Sequence, residues 1–223
     1  IALDFRFNGW GNKFEHKADD LANQLLKQQQ LLACPLESQN LVLEGGSIES
    51  DGIGTLLTTE HCLLSPERNP ALSKTAIEAQ LQSQLGIERI FWLTEGYLEG
   101  DDTDSHIDNL ARFCNTHTIA YASCNDINYV HYKSLKAMED ELKKLRKLDN
   151  KPYELINLNI PQAQFHDGER VPASYVNFLI TNKVVLVPFF NDANDKENLT
   201  KLSKVFNDRE VIGIDSRSLV KQS

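Results

Sequence analysis

The chain has 223 residues, 41% of them hydrophobic, which is enough to bury a core as one large domain or two small ones. Its 23 Lys and Arg against 32 Asp and Glu give a formal charge of -9, which argues against non-specific nucleic-acid binding and is compatible with a cationic substrate. No apolar run approaches the ~20 residues of a membrane span, and the cysteines show neither a CxxC pair nor the regular spacing of a disulfide-stapled domain. We therefore predict a cytoplasmic protein that binds neither nucleic acid nor membrane and keeps its cysteines reduced and mostly buried. These cysteines are Cys34, Cys62, Cys114 and Cys124.

The first part of the chain is predicted to form a hairpin, a helix and a further strand. A glycine-rich turn at 51–54 lies between two strand-like segments, which indicates the hairpin. Ser73 can cap a helix with apolar residues four positions apart, and Gly86 can end it. The predicted elements are strands over 1–7, 40–48 and 55–59, a helix that follows its cap at Ser73 and runs to about 85, and a strand over 89–93.

The same order of elements is predicted twice more. The second set comprises strands over 107–114 and 118–124, a helix within 132–148 and a strand over 153–158. The third set comprises strands over 175–181 and 184–188, a helix over 193–206 and a strand over 210–214. Three ββαβ units, approximately 39–93, 106–158 and 174–214, favour a closed or stacked α/β array in which neighbouring units bury each other's apolar faces. An ordinary α/β sandwich is the alternative. Because both ends fall at strand-like segments, we expect one domain, 1–223, that is incomplete at both ends.

Polar residues occur at the start of each predicted unit. Glu44 precedes two glycines, which let the backbone approach a ligand closely. Since side chains alternate along a strand, His106 and Asp108 are expected on one face, roughly 6 to 7 Å apart. If the units surround an axis, Glu44, His106 and Asp108 converge there, with Asn177 of the third unit as a further candidate.

This set of side chains suits a guanidinium ligand. Two carboxylates can bind a planar guanidinium by charged, paired hydrogen bonds, and a histidine can move protons. A His with a nearby Asp is also half of a metal site, but no HExxH or CxxC motif supplies further ligands. The nucleophile that such chemistry needs is missing, because Cys114 and Cys124 lie in hairpin strands, where a buried structural thiol is expected.

The stretches that carry these residues resemble the agmatine deiminases and their bacterial peptidyl-arginine deiminase relatives, members of the pentein superfamily of five-bladed α/β propellers. The matching stretches are 7–11, which reads FNGWG, 41–51, which contains LEGGSI, 54–70, which contains TLLTTEHCLLSPERNP, 102–109, which reads DTDSHIDN, 172–178, which reads PASYVNF, and 208–215. Together they cover nearly the whole chain in the family's order. The resemblance implies a pentein-type propeller of ββαβ units, with about three of the five blades in this chain.

The resemblance also implies a role for each candidate residue. Glu44 is expected to be the catalytic carboxylate that orients the histidine, His106 the general acid/base and Asp108 the guanidinium anchor. Apart from the resemblance, Asp104 and the neighbouring Asp101 and Asp102 are candidates to accompany the cationic substrate, with a solvated acidic loop as the alternative. No metal or organic cofactor is implied.

Two family features are expected outside this sequence. They are an aspartate in an RDxGP motif before FNGWG and a nucleophilic cysteine shortly after the counterpart of Leu219 and Val220. We therefore expect residues 1–223 alone to be inactive.

The implied reaction is hydrolysis of a small guanidino substrate through a covalent thiolate adduct. For agmatine the products are ammonia and N-carbamoylputrescine, on the route to putrescine in polyamine biosynthesis. A peptidyl-arginine or free-arginine deiminase is the alternative within the enzyme class, and a non-catalytic pentein binding module is the alternative outside it. Assembly into a homo-oligomer is left open.

Overall fold

The structure is a computed structural model that describes residues 1–222. The strands are β1 (Ala2–Arg6), β2 (Leu36–Val42), β3 (Ile48–Ser50), β4 (Thr55–Thr59), β5 (Arg89–Leu93), β6 (Ala111–Phe113), β7 (Thr118–Ser123), β8 (Glu154–Asn159), β9 (Gln164–His166), β10 (Glu169–Val171), β11 (Leu179–Ile180), β12 (Val184–Phe189) and β13 (Glu210–Asp215). The α-helices are α1 (Gly9–Asn12), α2 (Ala22–Gln28), α3 (Glu60–Leu63), α4 (Lys74–Leu85), α5 (Tyr132–Leu142) and α6 (Asp195–Val205). Short 3₁₀ turns lie at Asp19–Leu21, Gly45–Ser47, Ile107–Asn109 and Val220–Gln222.

Three sheets of three strands share one connectivity. Their strand orders are β3-β4-β5, β6-β7-β8 and β11-β12-β13. In each sheet the first two strands pair antiparallel, as a short connection allows, and the last two pair parallel. A parallel pair needs a longer crossover, which α4, α5 and α6 supply in the three sheets. The chain is therefore a mixed α/β fold, as predicted.

The sequence signals for α4 act as expected. The Ser73 hydroxyl accepts a hydrogen bond from the amide of Ala76, which satisfies one of the free N–H groups at the helix start. Gly86 ends the helix in the left-handed conformation, with φ of 67°. Ile77 and Leu81 are buried one turn apart on the inner face. The predicted bounds of this helix and of β4 and β5 are confirmed.

The predicted first strand of each unit is wrong in extent. Residues 40–48 do not form one strand, because β2 ends at Val42 and β3 begins at Ile48. The backbone between them turns, and both the amide and the hydroxyl of Ser47 donate to the carbonyl of Glu44. Local bonds of this kind compete with a β-ladder. The predicted strands over 107–114 and 175–181 likewise shrink to β6 and β11.

Two apolar clusters form the core. The larger cluster packs residues of β6, β7, β8 and α5 with residues of β12 and α6, so the second and third sheets share one core. The smaller cluster comprises Leu41, Leu43, Cys62, Leu63, Ile77 and Leu81. It lies beneath α3 and α4 and fixes the end of β2, where Glu44 emerges. Within residues 1–222, no helix has the length and apolar character required to cross a membrane.

Candidate active site

Glu44 leaves the end of β2 into a buried ion pair. Its side chain is 5% exposed, and the Nε of Arg68 donates to Oε1 at 3.0 Å and to Oε2 at 2.9 Å. The Cys62 thiol lies 3.8 Å from Oε2. Burial raises the pKa of the Glu44 carboxyl, but His106 and Arg68 outweigh burial, so the pKa lies below its ordinary value. Glu44 is therefore held as a carboxylate.

His106 and Asp108 lie in a tight turn instead of a strand. Asp104 and Ser105 both adopt φ of 63°, a rare conformation for residues with a side chain, and the 3₁₀ turn begins at Ile107. The Asp101 carboxylate stabilises this backbone by accepting from the amides of Thr103 and Ser105. The prediction that strand alternation places His106 and Asp108 on one face is therefore wrong. The turn gives them their shared orientation.

The structure brings Glu44 and His106 into contact although they are 62 positions apart. The Nε2 of His106 lies 3.3 Å from Oε2 of Glu44, and both side chains are buried. The hydroxyl of Thr59, the last residue of β4, donates to the Ser105 carbonyl at 2.8 Å and thereby ties the His106 turn to the first sheet. The predicted contact between Glu44 and the segment that carries His106 and Asp108 is present in the structure.

The side chains of His106 and Asp108 both pack closely against Gly46. A Cβ atom at Gly46 would lie 2.5 Å from Nδ1 of His106 and 2.7 Å from Oδ2 of Asp108, closer than real Cβ contacts. A Cβ at Gly45 would meet no such atom within 4 Å among the described residues. Only the second glycine of the pair is therefore required by the approach of the two side chains.

Asp108 carries an oxygen without a partner. Its Oδ1 is buried and has no hydrogen-bond partner within residues 1–222. Burial raises the pKa of the carboxyl above its ordinary value, and the opposing effects of His106, Arg112 and a hydrogen bond from Asn177 are smaller. A buried carboxylate oxygen without a donor is costly, so this atom is a natural place for a ligand N–H.

Asn177 reaches the edge of the same site. Its side-chain amide donates to Oδ1 of Asn109 at 3.2 Å, next to Asp108. A neighbouring open cavity of about 540 Å³ is lined by Asn109, Asn177 and apolar residues of β12 and β13. The third unit therefore contributes a polar group beside Asp108.

Asp104 is bound by two cations of this chain. Its Oδ1 lies 2.6 Å from Nζ of Lys13, and its Oδ2 accepts from Arg68 at 2.6 Å. Burial raises the pKa of Asp104, but Lys13 and Arg68 outweigh it and the pKa falls below its ordinary value. Asp104 is thus a charged link between the FNGWG segment and the His106 turn.

Sequence reasoning assigned no role to Arg68, and it gave the Gly45–Gly46 pair only a general role in close backbone approach. Arg68 lies within the quoted SPERNP stretch, directly before Asn69. Asn69 accepts from the Val42 amide and donates to the Val42 carbonyl, which places its neighbour beside Glu44. The two prolines that bound Glu67, Arg68 and Asn69 were the available signal that this segment has a fixed backbone.

Glu44, Cys62 and His106 also offer one potential metal ligand each. Their donor atoms lie within 4.8 Å of one another. However, the Arg68 guanidinium already donates to both Glu44 oxygens, and burial raises the pKa of the Cys62 thiol well above its ordinary range. A metal would need the thiolate and would face a buried cation, so these residues fit an ion-pair network better than a metal centre.

The fold and the site define a mixed α/β protein with a buried carboxylate–histidine pair beside an unpaired carboxylate oxygen. Residues 1–223 match the family model of the Porphyromonas-type peptidyl-arginine deiminases. The chain belongs to that family, which confirms the resemblance seen in the sequence.

Known proteins are similar along nearly the whole chain. The agmatine deiminase of Medicago truncatula is 34% identical over 98% of this chain and 64% of its own length. A crystal structure from Porphyromonas gingivalis, of a protein provisionally assigned as an arginine deiminase, is 49% identical, covers 99% of this chain and 66% of that one, and has a TM-score of 0.94. The substrate-bound agmatine deiminase of Campylobacter jejuni is 40% identical, covers 99% and 64%, and has a TM-score of 0.92. The chain thus spans about 64% of the length of the curated relatives that it matches.

Proposed function

We propose that this chain carries the acid/base and substrate-anchoring residues of a guanidino-group deiminase, with agmatine as the substrate. The observation that carries the proposal is the unpaired Oδ1 of Asp108 beside the Glu44–His106 contact. A guanidinium is a planar cation with several N–H donors, so it can satisfy this oxygen and the local charge together. The curated agmatine deiminases that match the chain support the substrate.

The proposed chemistry gives each residue one task. Asp108 accepts hydrogen bonds from the substrate guanidinium, which places its carbon near His106. A thiolate attacks that carbon, and His106 gives a proton to the departing nitrogen, so the C–N bond breaks and ammonia leaves. His106 then takes a proton from water as the water attacks the adduct and releases the thiolate. Glu44 orients the imidazole through the contact at Nε2.

We assign the thiolate to a cysteine other than the four of this chain. Cys62 and Cys114 are buried, and burial raises the pKa of both thiols, to about 12 for Cys114. Such thiols are poor nucleophiles at neutral pH. Burial also raises the pKa of the Cys124 thiol, which bonds the Asp126 carbonyl, and Cys34 is exposed; no contact among the described residues links either of them to the Glu44–His106 pair.

The three sheets of equal connectivity are proposed to be three blades of a pentein-type propeller within one domain, 1–223. The contacts that support this arrangement join all three units at one place. Glu44 follows β2, His106 precedes β6, and Asn177 precedes β11. Each polar residue therefore precedes the first strand of its sheet, which is what a common axis would produce.

Ammonia release from agmatine tests the proposal. Residues 1–223 and a chain extended at both ends are assayed side by side with agmatine, free arginine and a peptide containing arginine. We expect the extended chain to act on agmatine and residues 1–223 alone to be inactive. Equal activity of the two would mean that one of the four cysteines is the nucleophile.

A peptidyl-arginine or free-arginine deiminase is the second candidate, because the matching family model describes peptidyl-arginine deiminases. The same assay decides between the two. Faster turnover of arginine or of the peptide than of agmatine would reassign the substrate. Binding of agmatine without turnover by the extended chain would favour a non-catalytic module.

A further inference from the structure

Arg68 is a guanidinium that is already bound inside the candidate site. Its side chain is fully buried, and each of its three nitrogens donates to an acceptor of the site. The Nε donates to both oxygens of Glu44, Nη1 donates to Asp104 at 2.6 Å, and Nη2 donates to the Thr103 carbonyl at 2.8 Å. One side chain thus joins the end of β2 to the turn that presents His106.

The position of Arg68 is fixed from both sides. Asn69 bonds both backbone groups of Val42, two residues before Glu44. The carbonyl of Glu67 accepts from the side chains of Asn8 and Asn12 in the FNGWG segment. These bonds hold the backbone on each side of Arg68, so its guanidinium is pre-organised and is not a mobile surface cation.

The resulting charge layout distinguishes the three carboxylates of the site. Glu44 faces Arg68, and Asp104 faces both Arg68 and Lys13. Asp108 alone has an oxygen that is buried and unpaired within the described residues. A substrate guanidinium has the same charge and shape as the Arg68 side chain, so it would otherwise find two carboxylates to compete for it.

We propose that Arg68 is a positioning residue that occupies Glu44 with an internal guanidinium and thereby directs the guanidinium of the substrate to Asp108. This inference rests on the proposed function, because it assumes a guanidino substrate. It adds a reason for the site's selectivity: Glu44 stays available to His106, while Asp108 is the open anchor. A lysine would not serve, because an ammonium cannot form the fork that reaches Glu44, Asp104 and Thr103 together.

The charge of Glu44 can be tested without any ligand. In chains labelled with ¹³C at the Glu and Asp carboxyls, Glu44→Gln identifies the Glu44 signal, which is then titrated in Arg68→Lys and Arg68→Met. Because Arg68 lowers the pKa of Glu44 against the effect of burial, we expect the titration midpoint of Glu44 to move to higher pH, and further in Arg68→Met. Arg6→Lys is the matched control, since Arg6 binds Asp20 with the same fork away from His106. An unchanged midpoint in Arg68→Lys would overturn the role of Arg68.

Agmatine titration of the wild-type chain tests the steering directly and does not depend on the folding of a variant. We expect agmatine to shift the Asp108 carboxyl signal, with the Arg68 Nε–H signal retained. In a folded Arg68 variant, agmatine should shift the Glu44 signal as well. Loss of the wild-type Arg68 signal on agmatine binding would overturn the inference. Absence of any shift at Asp108 would instead refute the proposed function, while the ligand-free titration still reports whether Arg68 sets the charge of Glu44.

The active deiminase provides a kinetic readout that simple destabilisation would not give. We expect Arg68→Lys to lower kcat on the order of 10²-fold with a smaller change in KM, because His106 loses its alignment while Asp108 still binds. Added methylguanidinium should restore part of kcat in Arg68→Ala, since it can refill the vacated space. A fall in kcat/KM that is equal in all Arg68 variants, is caused by KM alone and is not rescued by methylguanidinium would contradict a positioning role.

Discussion

At the scale of single residues, the site holds carboxyl groups whose environments shift their pKa values in opposite directions. The pKa of Glu44 is lowered because His106 and Arg68 outweigh burial, and that of Asp108 is raised because burial dominates. Groups with divergent pKa values in one site often divide the tasks of catalysis between them. Here the ion-paired carboxylate of Glu44 suits the orientation of His106, and the carboxylate of Asp108, which has one oxygen without a partner, suits a cationic ligand.

The first prediction concerns turnover by the proposed deiminase. His106→Ala and Glu44→Gln should each lower kcat on the order of 10²-fold or more, the usual scale for lost acid/base catalysis. Asp108→Asn should weaken both agmatine binding and kcat, because it removes the charged acceptor. Steady-state ammonia release with each variant checks this, and near-normal turnover by His106→Ala would refute its assigned role.

The second prediction concerns the stability of the chain itself. Since the folded-state pKa of Asp108 is raised, its favourable contribution is present below the unfolded pKa and is lost as pH rises through the folded pKa. At neutral pH the buried Asp108 carboxyl must ionise, which lowers stability. Asp108→Asn removes this cost, so the Tm of the variant should exceed that of the wild type at neutral pH and approach it in acid. The expected gain is on the order of 1 kcal/mol, or roughly 2–4 °C for a chain of this size.

Asp104→Asn is the matched control for that measurement. The pKa of Asp104 is lowered by Lys13 and Arg68, so its contribution is present above the unfolded pKa and is lost as pH falls. This variant should therefore lose stability at neutral pH. Thermal unfolding of both variants at pH 4 and pH 7 checks the signs, and destabilisation by Asp108→Asn at pH 7 would show that Asp108 has a stabilising partner.

How much of the site the sequence predicts differs between residues. Glu44, His106 and Asp108 each precede the first strand of a sheet, so their convergence could be predicted from their equivalent positions in the repeated units. No role could be assigned to Arg68 from the sequence, because its role depends on contacts with Glu44 and Asp104, which are 24 and 36 positions away. Long-range pairing of charges leaves no periodic signal in the sequence.

At the scale of elements, the helices and central strands follow from local signals, whereas the site segments do not. The caps and apolar spacing of α4 predict it to the residue, and β4 is similarly delimited by its turn. The segments before β3, β6 and β11 read as strand because they contain apolar residues. Their backbone instead satisfies local and side-chain bonds, such as those from Asp101 and Ser47, and this deviation from a simple strand is where the site lies.

The third prediction concerns the Gly45–Ser47 turn. Gly46→Ala should lower kcat/KM on the order of 10²-fold, because its methyl group would displace His106 and Asp108. Gly45→Ala is the matched control in the adjacent position, where the methyl group meets open space, and we expect nearly full activity. Circular dichroism and agmatine kinetics on both variants check this. Equal activity of the two alanine variants would mean that the close approach at Gly46 has no functional consequence.

At the scale of the whole molecule, Arg112 connects the three sheets beside the candidate site. It lies in β6 of the second sheet, and its Nε donates at 2.9 Å to Glu49 in β3 of the first. Its Nη1 donates to the Phe178 carbonyl just before β11 of the third, and the guanidinium lies over the Phe178 ring. Glu49 also accepts from the Phe113 amide at 3.1 Å. The sheets are thus joined by a charge pair between the partly buried Arg112 and the buried Glu49, as well as by apolar packing.

The last prediction is that this pair couples global stability to pH. Arg112→Met should lower the free energy of unfolding by roughly 3–5 kcal/mol, because it leaves Glu49 buried without its partner. Burial already raises the pKa of Glu49 above its ordinary value despite Arg112, so the variant should be least stable at high pH, where Glu49 must ionise, and should recover as Glu49 is protonated in acid.

Adding Glu49→Gln to Arg112→Met should restore part of the loss at pH 8. Denaturant unfolding at pH 5 and pH 8 measures both effects, with Lys143→Met as the control, since that exposed pair with Glu139 should contribute at most ~1 kcal/mol. A loss in Arg112→Met that is independent of pH, and unchanged by Glu49→Gln, would show that the Phe178 contacts alone hold the sheets together.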